Sequence, residues 1–316
     1  MRILVVGAGA IGGYFGGRLL EAGRDVTFLV RRRRAEQLAR NGLAIKSPHG
    51  DVDLRAPTIA AEQLREPFDL ILLSCKSYDL ADAMQSFAPA VGPDTAILPV
   101  LNGMRHLDIL DARFGPRAVL GGQCVISGTL DAEGRILHLN DAHLLSFGQR
   151  DGSDGARLKT IASALAGAKF EARPSDAILQ EMWEKWVMIA TGAGITCLMR
   201  GSVGDVVAAG AADLTTALLD ECTAIASAHG FAPRQAALQG GRAMLTTAGS
   251  GFMASMLRDI ERNAPTEADH VVGDLLRRGG DQQNPRALLR IAYAHLAAYE
   301  ARRARTAAAG TSAPPR

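Results

Sequence analysis

Apolar residues enter the chain in short blocks. Residues 3–6, 26–30, 70–73 and 96–101 are runs rich in Val, Ile and Leu, each of strand length. Residues 11–22 between the first two carry a helical pattern. Blocks of this kind, separated by helical stretches, predict a parallel sheet with helices on both faces. Further strand signals at 125–129, 135–139 and 144–147 are divided by turn residues such as Asp131-Ala132-Glu133-Gly134, and predict an antiparallel extension of that sheet. After Pro174 the period changes. Leu179, Met182, Trp183, Trp186, Val187 and Ala190 recur at three- and four-residue steps, and from 178 to 303 the pattern is helical with almost no strand signal. The expected organisation is an α/β domain over 1–173, an all-α domain over 174–305 and a disordered tail over 306–316, where the sequence TAAAGTSAPPR is small and polar.

Composition agrees with two globular domains and excludes several classes. The 316 residues are 47% hydrophobic and 22% charged, and 35 basic against 33 acidic side chains leave a formal charge of +2. No global field favours nucleic acid or an anionic membrane as partner. The four cysteines, Cys75, Cys124, Cys197 and Cys222, form no CxxC pair and no cluster with histidine, which argues against a disulfide framework and against a metal site. A reducing, cytoplasmic setting is the expectation. The opening MRILVVGAGAIGG has the look of an export signal, but its residues run directly into a strand and a glycine turn. No stretch approaches the roughly 20 apolar residues of a membrane span.

That glycine turn carries the first candidate chemistry. Gly7, Gly9 and Gly12 fit GxGxxG between a strand and a helix, with a second strand following. In such a turn the first glycine permits the sharp bend, the second lets a pyrophosphate approach the backbone and the third lets helix and strand pack closely. The helix start at Ala10 and Ile11 then turns backbone N–H groups toward the anion. A glycine-rich helix cap without ligand is the alternative. The pattern defines a Rossmann-type N-terminal domain. Its second strand ends in Val30-Arg31-Arg32-Arg33-Arg34, with no acid in place for a ribose hydroxyl. A guanidinium suits a 2′-phosphate, so NADP(H) is the expected cofactor and Arg31, nearest the strand end, its reader. The other arginines also fit a solvated basic loop. Two further loops follow parallel strands: Lys76 could meet the phosphate or ribose side, and Asn102 could bond the nicotinamide ribose or a catalytic group, though both also suit ordinary turns.

In the helical part, Lys185 lies away from the apolar stripe, where a polar turn passes into an apolar one. It suits a surface ion pair with Glu181 four residues earlier, and equally a partly desolvated proton donor. Both readings stand on pattern alone. Ser255 reads as an ordinary helix-face serine. Thr266 to Asp269 resembles a capping box, with Glu267 as a surface residue of the first helical turn.

Together, GAGAIGG, Val30-Arg31, Ser-Cys-Lys76, Leu-Asn102-Gly-Met, Trp-Glu-Lys185 and Ser255-Met-Leu-Arg-Asp259 followed by Pro-Thr-Glu267 resemble the ketopantoate reductase (2-dehydropantoate 2-reductase) family over residues 1–303. The resemblance implies NADPH-dependent reduction of a small 2-keto acid, ketopantoate, to its 2-hydroxy acid. It implies Lys185 as general acid, Glu267 as an acid near the substrate hydroxyl and the cofactor, Ser255 as a substrate ligand and Asn102 as a residue ordering lysine and nicotinamide. The chain departs from the family where asparagines usually bind the substrate: Ile189, Ala193 and Phe252 stand there instead. Losing those hydrogen bonds costs about 1 kcal/mol or more each for a polyoxygenated acid. The alternatives are therefore a reductase for a bulkier or more apolar keto acid or imine on the same scaffold, and a non-catalytic NADP(H) sensor. A homodimer is compatible with the sequence.

Overall fold

The computed structural model describes residues 1–280 and 287–311, and the chain divides into two compact units. One comprises Met1–Leu101 and His106–Leu179, the other Asn102–Arg105 and the chain from Gln180 onward. The helical unit thus begins six residues beyond the boundary expected at 173/174, and it also takes in a four-residue loop from the middle of the α/β part.

In the first unit β1 (Arg2–Val6), α1 (Ala10–Glu21), β2 (Asp25–Leu29), α2 (Arg32–Asn41), β3 (Leu43–Lys46), β4 (Val52–Leu54) and β5 (Thr58–Ile59) follow one another. Then come β6 (Leu70–Leu73), α3 (Leu80–Phe87), β7 (Ala96–Pro99), α4 (Arg105–Phe114), β8 (Gly121–Leu130), β9 (Ile136–Gly148), α5 (Ala156–Leu165) and β10 (Glu171–Pro174). Five strands form a sheet in the order β5-β2-β1-β6-β7, and every neighbouring pair is parallel. All four residues of both β6 and β7 are buried, which is why these strands read as continuous apolar runs rather than as alternation.

The expected antiparallel extension takes another form. β8 and β9 do pair antiparallel, with a register shift between Ile126 and Gly128, but they belong to a second, mixed sheet of order β10-β9-β3-β4. Its link to the first sheet among the described residues is the single bridge Ile97–Val119, just before β8. β3 and β4 went unforeseen because four and three residues are too few to show a period.

α1 packs between the two sheets, and its glycines make that possible. A methyl at Gly16 would meet the Phe28 ring of the first sheet at 2.7 Å, and one at Gly17 would meet Ile45 of the second, also at 2.7 Å. The resulting core is shared by Phe15, Phe28, Ile45, Ile136 and Phe147, all fully buried.

The second unit is helical: α6 (Ile178–Met199), α7 (Val203–Ala208), α8 (Ala212–Ala228), α9 (Gln235–Leu245), α10 (Ser255–Glu261), a π-helical turn Asp269–Gly273, α11 (Asp274–Gly279) and α12 (Leu288–Thr311). The predicted stripe of α6 is inside, with Met182, Trp183, Trp186, Val187 and Ala190 buried. Trp183 stacks on both His229 and Phe231. α12 continues through Thr311, into the stretch expected to be disordered, where three consecutive alanines favour helix; residues 312–316 lie outside the described residues. Among the described residues no helix is long and apolar enough to cross a membrane.

Candidate active site

The glycine turn sits at the C-terminal ends of β1, β2 and β6. Gly7 has φ +94°, a backbone that L side chains rarely adopt, and its N–H donates to the Leu29 carbonyl at 3.0 Å. The Ser74 hydroxyl, just past β6, donates to the Val6 carbonyl at 3.0 Å. A methyl at Gly12 would collide with Ser74 Oγ and the Gly7 carbonyl oxygen, whereas nothing lies within 4 Å of where one would sit at Gly9. Gly9 caps α1, and its carbonyl accepts the first helical bond from Gly13 at 2.8 Å. The N–H groups of Ala10 and Ile11 therefore open a helix beside bare backbone. This cradle fits a dinucleotide pyrophosphate.

Three of the four arginines have separate tasks, and Arg33 is exposed on α2. Arg31 precedes α2 with its side chain 68% exposed, and donates to Asp79 at 2.7 Å and Asp82 at 2.8 Å. Hydrogen bonds to Asp79 and then Asp82 hold its guanidinium above the ordinary value. Arg32 pairs with Glu36 one turn on. Arg34, half buried, donates through Nε to the Ala8 carbonyl and through Nη1 to the Gly134 carbonyl, each at 3.0 Å. It braces the glycine turn against the β8–β9 connection. Nothing in a run of four arginines distinguishes that member. Lys76 is half-buried and leads a single 3-10 turn, Ser77–Asp79, that brings Asp79 to Arg31.

In the helical unit, Lys185 is half-buried on α6. Its neighbour Glu184 makes a bidentate pair with Arg234, at 2.7 and 2.6 Å. Burial pushes the Glu184 carboxyl up, but hydrogen bonds from Arg234 and Gln180 more than offset this and leave it below its usual range. On Lys185's other side, Trp186 donates from its indole to the Val271 carbonyl at 2.8 Å, fastening α6 to the π-helical turn. Such turns occur often at functional sites.

Glu267 lies two residues before that turn and is only 8% exposed, so the surface reading gives way to a buried glutamate. The capping box is replaced as well. The Thr266 hydroxyl and N–H both donate to Glu300 at 2.7 Å, and Asp269 accepts from Arg105, Arg277 and Tyr293, each at 2.8 Å. Chain segments distant in sequence supply stronger partners than the helix end could.

Asn102 belongs to the same unit. Gly103 beside it has φ +78°, and a methyl there would lie 3.0 Å from the His270 carbonyl oxygen. The His270 ring hydrogen-bonds to the Asn102 backbone; burial lowers its pKa, Glu267 and Asp274 act the other way, and the result is below the ordinary histidine value. His270 and the Arg105–Asp269 pair were not foreseen, because their meaning depends on contacts across more than 160 residues. Ser255 is exposed at the first position of α10. Its segment meets α6 further along, where the Phe252 ring packs against Gly192, seven residues or about 10 Å from Lys185. Ile189 is half-buried between them, Ala193 is buried and Phe252 is 38% exposed.

Burial pushes Cys197 and Cys222 each up to about 12, so both stay protonated at neutral pH.

A parallel sheet with a dinucleotide turn, joined to a helical unit holding a lysine and a buried glutamate, defines an oxidoreductase of the Rossmann-plus-helical-domain type. The family model described as Ketopantoate reductase PanE/ApbA matches residues 3–152, and the one described as Ketopantoate reductase PanE/ApbA C terminal matches residues 177–300. The chain belongs to the ketopantoate reductase family. It is 37% identical to the uncharacterized oxidoreductase YkpB of Bacillus subtilis (strain 168), over 95% of this chain and 99% of that one. The crystal structure of 2-dehydropantoate 2-reductase from Geobacter metallireducens GS-15 is similar at 27% identity and TM-score 0.85, covering 94% of this chain and 99% of its own. D-mandelate dehydrogenase, in its ternary structure with NADH and anilino(oxo)acetate, shares the fold at 21% identity and TM-score 0.85, with 96% and 99% covered.

Proposed function

We propose that the chain reduces a 2-keto acid to the 2-hydroxy acid with NADPH, in the manner of a 2-dehydropantoate 2-reductase. The overall change is keto acid plus NADPH plus a proton to hydroxy acid plus NADP⁺. The cofactor, when bound, supplies the hydride for the carbonyl carbon. The chain's residues supply the rest. Lys185 holds its ammonium at the carbonyl oxygen, stabilises the negative charge that develops there and donates the proton. Glu267 bonds the hydroxyl that forms, Asn102 orients the lysine and Ser255 takes a polar group of the substrate. The glycine turn and Arg31 bind the dinucleotide, with Lys76 beside them.

The observation that carries this reading is a convergence on one turn. Trp186, next to Lys185, bonds to Val271; Glu267 leads into the turn; and the Asn102 loop is fastened to it through Arg105–Asp269 and His270. Three segments remote in sequence thereby meet at this turn, which supports reading the lysine, the carboxylate and the asparagine as parts of one site. The test is NADPH oxidation by purified protein over a panel of 2-keto acids. Turnover on none of them, with cofactor bound, selects the sensor reading and overturns this one.

A second reading concerns the substrate. Ile189, Ala193 and the half-exposed Phe252 ring on Gly192 offer apolar surface where the family has asparagines. They favour a bulkier, more apolar keto acid, and the fold shared with D-mandelate dehydrogenase does not restrict the scaffold to ketopantoate. Higher kcat/KM on an aromatic keto acid than on ketopantoate, reversed by Phe252→Asn together with Ile189→Asn, selects this substrate class. The opposite order selects ketopantoate.

A further inference from the structure

The cofactor cradle fits a pyrophosphate without reservation, but the group that would read the 2′-phosphate does not stand ready. Arg31 is doubly engaged, with Asp79 at 2.7 Å and Asp82 at 2.8 Å on the same Nη2 nitrogen. Both carboxylates come from the loop and first turn that follow β6, and both are set by rigid backbone: Asp79 closes a 3-10 turn and Asp82 lies in the first turn of α3. They do not leave when Arg31 turns away. Taken together, Arg31, Asp79 and Asp82 carry a net charge of −1. Of the other arginines in the run, Arg32 is paired with Glu36, Arg34 is committed to the Ala8 and Gly134 carbonyls, and Arg33 is exposed in the first turn of α2.

A dianionic 2′-phosphate approaching Arg31 meets a guanidinium whose charge is already shared with two carboxylates, and it must remain beside both of them. A 2′-hydroxyl faces neither cost. It is uncharged, so the two carboxylates neither repel it nor compete with it for the guanidinium. The arginine run that favours NADP(H) in the sequence is thus opposed by two acids that only the fold brings to it.

We propose that Asp79 and Asp82 are specificity-determining residues that compete with the 2′-phosphate for Arg31 and so restrain the preference for NADPH over NADH. This rests on the reading of the glycine turn as a dinucleotide site. The competition is electrostatic, so it acts on NADPH and leaves NADH affinity nearly unchanged.

The experiment measures direct binding of NADPH and NADH to the full chain by the fluorescence of the reduced nicotinamide, without substrate. Wild type is compared with Asp79→Asn, Asp82→Asn and the double variant. Each substitution keeps the side-chain shape at a site more than a third exposed, and circular dichroism confirms folding. The double variant is expected to bind NADPH roughly tenfold more tightly, with NADH little changed, from removing two like charges near the phosphate in partly screened surroundings. Asp82→Asn alone, the more exposed of the two, serves if the double variant fails to fold and is expected to shift the same way by a smaller factor. An unchanged NADPH:NADH ratio overturns the inference. So does a ratio that shifts only because NADH binding is lost, which would make these acids ribose ligands rather than competitors. Failure of wild type to bind either nucleotide overturns the dinucleotide reading itself, a result distinct from both.

Discussion

The Arg105 guanidinium donates to the Asp269 carboxylate at 2.8 Å, and that pair fastens the Asn102–Gly103 turn to the turn that follows Glu267. Asp269 is held in place for this task by Arg277 and Tyr293, each also at 2.8 Å. Burial lifts the Asp269 carboxyl, but the bonds from Arg277 and Tyr293 bring it below its usual range, so the anchor stays charged at neutral pH. A residue from the end of the first third of the chain and residues from its last third thereby form a single support for Asn102.

Removing the anchor is expected to separate function from stability. Both partners are about half exposed, so Arg105→Ala costs under about 1 kcal/mol in urea unfolding. Misplacing Asn102 by a fraction of an ångström to an ångström is expected to lower kcat about tenfold to a hundredfold. Steady-state kinetics beside urea titrations checks this. A proportionate loss in both measurements makes the pair merely structural.

Lys185→Ala is expected to reduce turnover about 100- to 10,000-fold, the usual contribution of a positioned proton donor, while cofactor affinity stays as it was. A variant with wild-type turnover removes Lys185 from the mechanism. Since Glu184, not Lys185, carries the ion pair with Arg234, the substitution leaves that anchor of α6 intact.

Gly12→Ala tests the cradle. Its methyl would collide with Ser74 Oγ and the Gly7 carbonyl oxygen, neither of which is the far end of a flexible side chain. The expected result is about 1–3 kcal/mol of lost stability from overpacking. Nucleotide affinity is expected to fall about tenfold or more as the turn opens. Gly9→Ala, where nothing lies within 4 Å, is expected to fold normally and still lose affinity, because its methyl occupies the face the pyrophosphate approaches.

Stability is expected to fall on mild acidification. His138 and His143 lie close to each other and to His49, which stacks on His143 at 3.7 Å between ring centroids. Burial, and then the charges of nearby histidines and Arg18, lower the pKa of His143; burial likewise lowers that of His138. His270 is lowered too, chiefly by burial. A lowered folded pKa means that the unfolded chain binds more protons once pH drops below about 6.5, its ordinary histidine value. Stability is therefore full above that pH and declines as pH falls through 6.5 toward the folded values. Urea midpoints from pH 8 to 5 check the trend, and His143→Gln, which removes one of the titrating groups, is expected to flatten it.

Much of the plan was legible in the chain because it rests on local rules. Parallel strands buried on both faces read as apolar runs, a strand-to-helix turn with φ near +94° demands glycine at position 7, and the stripe of α6 shows its period directly. The catalytic candidates were visible only as residue types in a familiar order. Pattern alone left Lys185 open between a surface pair and a proton donor, and made Glu267 a surface glutamate.

What the sequence determined, then, was the class of fold, the glycine turn and the apolar side chains of Ile189, Ala193 and Phe252. Tertiary structure decided which of four arginines braces the turn, which meets Asp79 and Asp82, and that Glu267 is buried. It also made the Asn102 loop part of the helical unit. The reason is range. Strand periodicity, glycine torsions and helical stripes are set by neighbours within a few residues. The charge environment of Arg31 is set by residues 48 and 51 positions away, and that of Asn102 by contacts about 170 positions away, which no local pattern encodes.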